Sequence, residues 1–267
     1  MKGIKKISMI LAALALILLV AGCSSGQKAD TSSEAGNSTE GSGDSETIVW
    51  GTNAAFAPFE MREGDEVIGI DADVAKKIAD KLGVELVVED MDFDSLLPAL
   101  VSGKIDFIAA GYTKKPDREE QVLFTDTYFK ATQAIIVKEG GPEINSLEDL
   151  VGKTIGVQNA TTGDFEASDI EDAEVVRFKN GIEAALDLNN GKLDAVIIDN
   201  YPAKMLVENN PGLVIVETEE PIFEDEEYAI AVQKGNEELQ KVINQVLKEM
   251  KDAGEFEEMI NKYSMGE

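Results

Sequence analysis

The sequence predicts an α/β fold made of two lobes of similar build. Short β-rich runs alternate with helical patterns, the signature of mostly parallel sheets flanked by helices. "PALVSGKIDFIAAG" and "ALDLNNGKLDAVIID" both run helix, Gly-Lys turn, Ile/Leu-Asp pair and apolar strand, with Gly103 and Gly191 lying 88 positions apart. "AIIVKEG" from Ala134 and "AIAVQKG" from Ala229 form a second pair of twins. Chance similarity between α/β segments is the competing explanation.

The first element is not part of that fold. Residues 1–22 carry Lys2, Lys5 and Lys6, then an apolar run from Ile7 to Val20, and read as a secretory signal. The run of about 14 residues is short of the roughly 20 needed to span a bilayer, which weighs against an uncleaved anchor. Val20-Ala21-Gly22-Cys23 resembles a bacterial lipobox, implying a lipid on Cys23, the single cysteine of the chain. Residues 23–46 are rich in Ser, Gly, Glu and Thr, with two alanines as their apolar residues after Cys23. They are expected to form a disordered tether with an r.m.s. span of about 25 Å.

The folded part begins at Thr47. Expected strands are "TIVWGT", "ELVVED", "KIDFIAAG", "TQAIIVK", "KTIGVQ", "EVVRF", "LDAVIID" and "YAIAVQK". Asp71 is expected to cap a helix in which Val74, Ile78 and Leu82 recur every fourth residue and which Gly83 ends. The spacing of Asp71 and Asp73 also invites a metal reading, but capping is the commoner cause. Asp94 is expected to cap the next helix, placing Pro98 in a first turn, where a missing amide costs little. The expected organisation is lobe 1 over 47–134, lobe 2 over 135–230, and a return to lobe 1 over 231–267.

Composition excludes several functions. A formal net charge of -28 repels phosphates and argues against nucleic acid. With no histidine, the chain has no Ser-His-Asp triad, Cys-His pair or histidine-ligated zinc. No cofactor or metal is expected.

If the lobes are duplicates, Gly111 to Thr113 and Asp199 fall at the carboxyl ends of matching strands, where open α/β sheets bind ligands. Arg118 follows in "GYTKKPDREE". It reads either as a surface ion-pair partner of Glu119 or Glu120, or as the planar donor that grips a carboxylate. On the second lobe, "VQNATTGDFEAS" ends a strand at Gln158 and brings Thr161, Thr162 and Gly163 to a helix start, a setting that favours anions. Thr162 would ordinarily be a cap. Asp199 and the Gly111 carbonyl suit an ammonium. Together these groups describe the α-carbon end of an amino acid. Phe56, Phe59 and Phe93 are core residues or faces that enclose a side chain, and Asn53 and Gln158 add polar contacts.

From Thr47 onward the chain resembles the extracytoplasmic solute-binding proteins of polar amino-acid ABC transporters, solute-binding family 3. The matching segments are "AAFAPFE", "GIDADVAKKIADKLG", "DFDSLLPALVSGKIDFIAAGYTKKPDREEQVLFTDTYF" and "LDAVIIDNYPA". The resemblance implies a two-lobed periplasmic-binding-protein-like (type II) fold with two crossover strands, closing on a free amino acid. It places Gly111, Thr113 and Arg118 on the α-carboxylate and α-amino contacts, Thr162 on the second-lobe carboxylate donor, and Asp199 on the acid that meets the ammonium. Phe56 and Phe93 fall on the aromatic clamp. Asn53 stands where binders of basic residues often have an acid, which speaks against a pocket purely specific for arginine or lysine; glutamine-like ligands are preferred, with cystine and basic residues close behind. Ala160 stands where glycine is common. The implied partners are the free amino acid, a permease with its ATPase, and the membrane through lipidated Cys23, the protein itself being an extracytoplasmic monomer. A cleft-based dehydratase of the same fold and a sensor acting on a separate receptor are the alternatives.

Overall fold

A computed structural model describes residues 46–264. The signal sequence, Cys23 and the tether up to residue 45 lie outside the described residues. After β1 (Thr47–Thr52), a meander of β2 (Ala55–Phe56), β3 (Glu60–Glu63) and β4 (Glu66–Ile68) leads to α1 (Ile70–Leu82) and β5 (Glu85–Asp90). Then come α2 (Phe93–Val101), β6 (Phe107–Ile108), α3 (Pro116–Glu119), β7 (Val122–Phe124) and the long β8 (Phe129–Lys138). The chain continues through β9 (Thr154–Gln158), α4 (Thr162–Ser168), β10 (Glu174–Phe178), α5 (Gly181–Asn189), β11 (Ala195–Asp199), α6 (Asn200–Asn209) and β12 (Leu213–Ile215). It ends with β13 (Asp225–Tyr228), β14 (Ala231–Gln233), α7 (Glu237–Ala253) and α8 (Glu255–Ser264).

Two sheets share one plan. The first has the order β5-β1-β6-β14-β7 and the second β10-β9-β11-β8-β12. In each, the second strand lies parallel to its two neighbours, and the fourth runs antiparallel to the third. The internal twins sit at matching places: Gly103 and Gly191 precede the third strands, and the "AIIVKEG" and "AIAVQKG" segments supply the fourth. Both turn glycines have φ near +70° (75° and 72°), a conformation that favours glycine. The lower half of β8 pairs with β13, so an antiparallel ribbon runs between the sheets.

The central strands are buried because they read as apolar runs, as in "AVIID" of β11, where all residues are buried, whereas the edge strands β5 and β10 have no fully buried residue. The last long helix, α7, presents Leu239, Ile243, Val246, Leu247 and Met250 on one buried stripe. Trp50, Phe59, Phe107 and Tyr228 are fully buried beside them.

Four local expectations need correction. Asp71 does not cap α1: Gly69 holds the cap position, and Asp71 lies wholly buried in the first turn. Asp94 does not cap α2, since Asp92 precedes the helix without a side-chain cap bond. Because α2 begins at Phe93, Pro98 lies beyond the first turn, where its missing amide removes a helical hydrogen bond. The expected strand "KIDFIAAG" narrows to Phe107–Ile108 because the following residues turn away from the sheet toward polar partners. The Ala109 carbonyl accepts from Trp50 Nε1 at 2.8 Å, and the Gly111 amide donates to Asp71 Oδ2 at 2.8 Å.

Candidate functional site

The carboxyl ends of the matched strands face one narrow cavity. Its walls are Asn53, Phe56, Glu60, Phe93, Ala110, Gly111, Thr113, Arg118, Gln158, Thr161, Thr162 and Asp199. All nine residues expected from the sequence to bind a ligand line it, and each is buried. The room inside is about 10 Å³, roughly that of one water. An amino acid therefore enters only if the walls part. Contacts across the cavity hold them together: Arg118 Nη2 donates to the Ala160 carbonyl at 3.0 Å, and Gln158 Nε2 to Asn53 Oδ1 at 3.0 Å.

Arg118 is not a surface ion-pair partner. It is 4% exposed, and Glu119 pairs with Lys114 instead at 3.2 Å. Its Nη1 donates to the Thr113 carbonyl at 2.8 Å, and the guanidinium lies 4.2 Å from the Tyr112 ring centre and 5.6 Å from that of Phe93. Burial pulls its pKa down, opposed by the nearby acids Asp117, Glu226 and Asp199. The backbone bond and stacking leave a fixed, planar cation with donors in reserve.

On the opposite wall, Thr161 is the cap of α4, accepting from the Asp164 amide. That leaves the Thr162 hydroxyl, 6% exposed, with no hydrogen-bond partner. The turn before it is braced by Asp164, which accepts from the Ala160 amide at 3.0 Å and pairs with Arg177 at 2.9 Å. Ala160 itself has φ 63°, so a residue other than glycine takes the left-handed conformation here.

The acidic side is more crowded than the sequence suggests. Tyr228 donates to Asp199 Oδ1 at 2.6 Å, while burial and neighbouring Glu226 push the Asp199 carboxyl up to about 7. Asp71, expected as a cap, accepts from the Gly111 amide and from Tyr128 at 2.6 Å and so fixes how the Gly111 carbonyl is presented. Burial raises its carboxyl to about 6. Glu226 on β13 accepts from the Thr113 hydroxyl at 2.8 Å and from Gln133 at 2.8 Å. The Thr113 hydroxyl, expected to donate to a ligand, is therefore engaged inside the protein.

Glu60 was missed. It opens β3 opposite Phe56, is fully buried, and lines the cavity. Neither carboxylate oxygen receives a hydrogen bond from the described residues. The signal lay in "AAFAPFEM", one acid in an apolar stretch beside the fully buried Phe59. Phe56 and Phe93 do face the cavity, whereas Phe59 joins an aromatic core with Phe129, Tyr201 and Tyr228.

Comparison with known proteins agrees with this architecture. The family model described as bacterial extracellular solute-binding proteins, family 3, matches residues 48–267. The chain is 36% identical over 255 residues to the arginine-binding extracellular protein ArtP of Bacillus subtilis, covering 94% of this chain and 98% of that relative. It is 35% identical over 269 residues to the glutamine-binding ABC transporter protein GlnH of the same organism, covering 97% of each. Among solved structures, a mutant of ArgBP from T. maritima superposes with a TM-score of 0.77 at 42% identity, covering 81% of this chain and 94% of that one.

Proposed function

The chain belongs to the bacterial extracellular solute-binding proteins, family 3, and from that membership we propose that it captures one free polar amino acid between its lobes and delivers it to an ABC permease. The observation that carries this reading is the placement of buried Arg118 and buried Asp199 on one cavity. A zwitterion has a carboxylate and an ammonium on one carbon, and these walls offer each end a buried counter-charge. In this reading Arg118, the Thr113 amide and the Thr162 hydroxyl hold the carboxylate. Asp199 and the Gly111 carbonyl hold the ammonium. Phe56 and Phe93 flank the side chain, with Asn53 and Gln158 beyond them. Relatives whose names specify arginine and glutamine support the class of ligand.

Closure follows from the ribbon of β8 and β13, whose backbone links the sheets and can act as a hinge. Lipid on Cys23 would hold the protein at the outer face of the membrane beside its permease. Calorimetric titration with the common L-amino acids and cystine tests the reading. Binding of at least one is expected, and at a concentration of 1,000 Kd it stabilises the fold by about 4 kcal/mol. If no member of the panel binds or raises the melting temperature, the reading falls.

A further inference from the structure

A second cavity lies beside the one that Arg118 and Asp199 line. Its volume is about 310 Å³. One wall is the meander that follows β1, with Ala54, Ala55 and Ala57; the other is built on α5 and α6, with Ile182, Met205 and Leu206. The two cavities share a partition. Along residues 53–57, Asn53 and Phe56 line the first cavity and the three alanines line the second. At the end of β11, Asp199 lines the first and Ile198 the second. A molecule in the second cavity would therefore touch the same backbone that presents Asn53, Phe56 and Asp199 to an amino acid.

The chemistry of this cavity departs from that of the whole chain. The net charge is -28, yet among the described residues no carboxylate lines it, and its one charged lining residue is half-exposed Arg62. Asp90 holds that arginine, accepting from Nε at 2.8 Å and pairing with Nη2 at 2.7 Å. The other oxygen of Asp90 accepts from the Ala54 amide at 3.0 Å. Asp90 is thus engaged on both oxygens, while Arg62 keeps the donors of Nη1 in reserve. The volume is about twice that of a cavity that takes up benzene, and it falls near the lower end for small-molecule sites. Apolar walls with one guanidinium at the rim suit a body the size of two rings that carries one acidic group. Other occupants fit less well. The chain's own tether has two alanines as its apolar residues after Cys23, and a second copy would bring a like charge of -28.

We propose that this cavity is an effector site for a small apolar acid, separate from the amino-acid cavity, and that filling it tightens amino-acid binding. Its two walls stand on the two sides that must part for an amino acid to enter, so the site is complete only in the closed form. A molecule that binds that form alone shifts the protein toward it. By linkage, the amino acid then tightens binding of the acid by the same factor. The site stands on its own geometry, whereas the coupling rests on the amino-acid reading of the first cavity.

Calorimetry of the full-length protein with 2-naphthoate tests the site, with 2-naphthylmethylammonium as the cation of similar shape. Naphthoate is expected to bind with a Kd below about 1 mM, and about fivefold or more tightly than the cation, against the sign of the net charge. Saturating naphthoate should lower the Kd of the tightest-binding amino acid by about fivefold or more, the lower range of allosteric coupling, and the reciprocal shift should match it. Met205→Glu places a carboxylate in the apolar wall. It should weaken naphthoate binding by more than about tenfold and leave the amino-acid Kd without naphthoate unchanged. Absent naphthoate binding, a cation that binds as tightly, competition between naphthoate and the amino acid, or undiminished binding to folded Met205→Glu would each overturn the site. The first three are read on the wild type and decide the matter even if the variant does not fold. Naphthoate that binds without altering amino-acid affinity would overturn the coupling. If no amino acid binds, the coupling falls with that reading, and the comparison of anion with cation still decides the site.

Discussion

A guanidinium placed by two different forces is hard to replace with another cation. Arg118 is oriented by the Thr113 carbonyl and by the faces of Tyr112 and Phe93, neither of which holds a lysine ammonium in the same plane. Arg118→Lys is therefore expected to weaken amino-acid binding by more than about tenfold, the loss of one charge-assisted hydrogen bond, despite the conserved charge. Calorimetry measures the affinity, and the melting temperature of the unliganded variant separates this from simple unfolding; near-native affinity would return Arg118 to a structural role. That one arginine was legible in the sequence because it stood out in a strongly acidic chain beyond an apolar strand. The roles of Asp71, Glu60 and Glu226 were not legible. A carboxylate beside a helix start reads as a cap, and one in a charged run reads as solvated, until the fold shows which long-range partner it meets. Asp71 finds Gly111 forty positions away, and Glu226 finds Thr113 across 113.

At the scale of elements, the legible ones were the β-rich runs of the parallel pairs: β1, β5, β9, β10 and β11 coincide with their predicted segments to within two residues. The β2–β4 meander escaped notice because Pro58 and short, mixed strands give neither period. The short β7, β12 and β13 escaped for the same lack of length. The turn before α4 shows how an element can hold strain in place. Ala160 keeps φ 63° because Asp164 accepts its amide and Arg118 binds its carbonyl. The left-handed conformation costs a non-glycine residue roughly 1–2 kcal/mol. Glycine removes that cost but adds about 0.5–1 kcal/mol of unfolded-chain entropy. Ala160→Gly is thus expected to stabilise the protein by between about 0 and 1.5 kcal/mol. Denaturant titration measures it, and a loss of stability would mean that the methyl group packs more usefully than the backbone strain costs.

For the whole molecule, anchoring and charge make separate predictions. If Cys23 bears the lipid, Cys23→Ser should move the protein from the membrane fraction to the soluble extracytoplasmic fraction, with unchanged amino-acid affinity in the folded part; retention on membranes would refute lipid anchoring. The charge prediction exploits a compositional fact. With no histidine, no unperturbed side chain titrates between pH 5 and 8, because ordinary carboxyls ionise below that window and the single cysteine above it. A change in stability there reports shifted groups, foremost Asp71 at about 6 and Asp199 at about 7, with Glu60 also raised by burial and by Asp71. Each of these pKa values is higher in the folded state than in the unfolded one. The folded protein consequently holds more protons across the window, and its stability must fall as pH rises. The unliganded protein is expected to melt at a lower temperature at pH 8 than at pH 5, with the loss spread through pH 6 to 7. Asp199→Asn should shrink that difference, since the amide has no charge to bury, while weakening ligand binding by removing the ammonium's counter-charge. A bound ammonium opposes the effect by stabilising ionised Asp199, so saturating ligand should flatten the profile on its alkaline side. A melting temperature that stays level or climbs from pH 5 to 8 without ligand would mean that these carboxyls are hydrated and ionise normally, which a closed, acid-lined cavity does not permit.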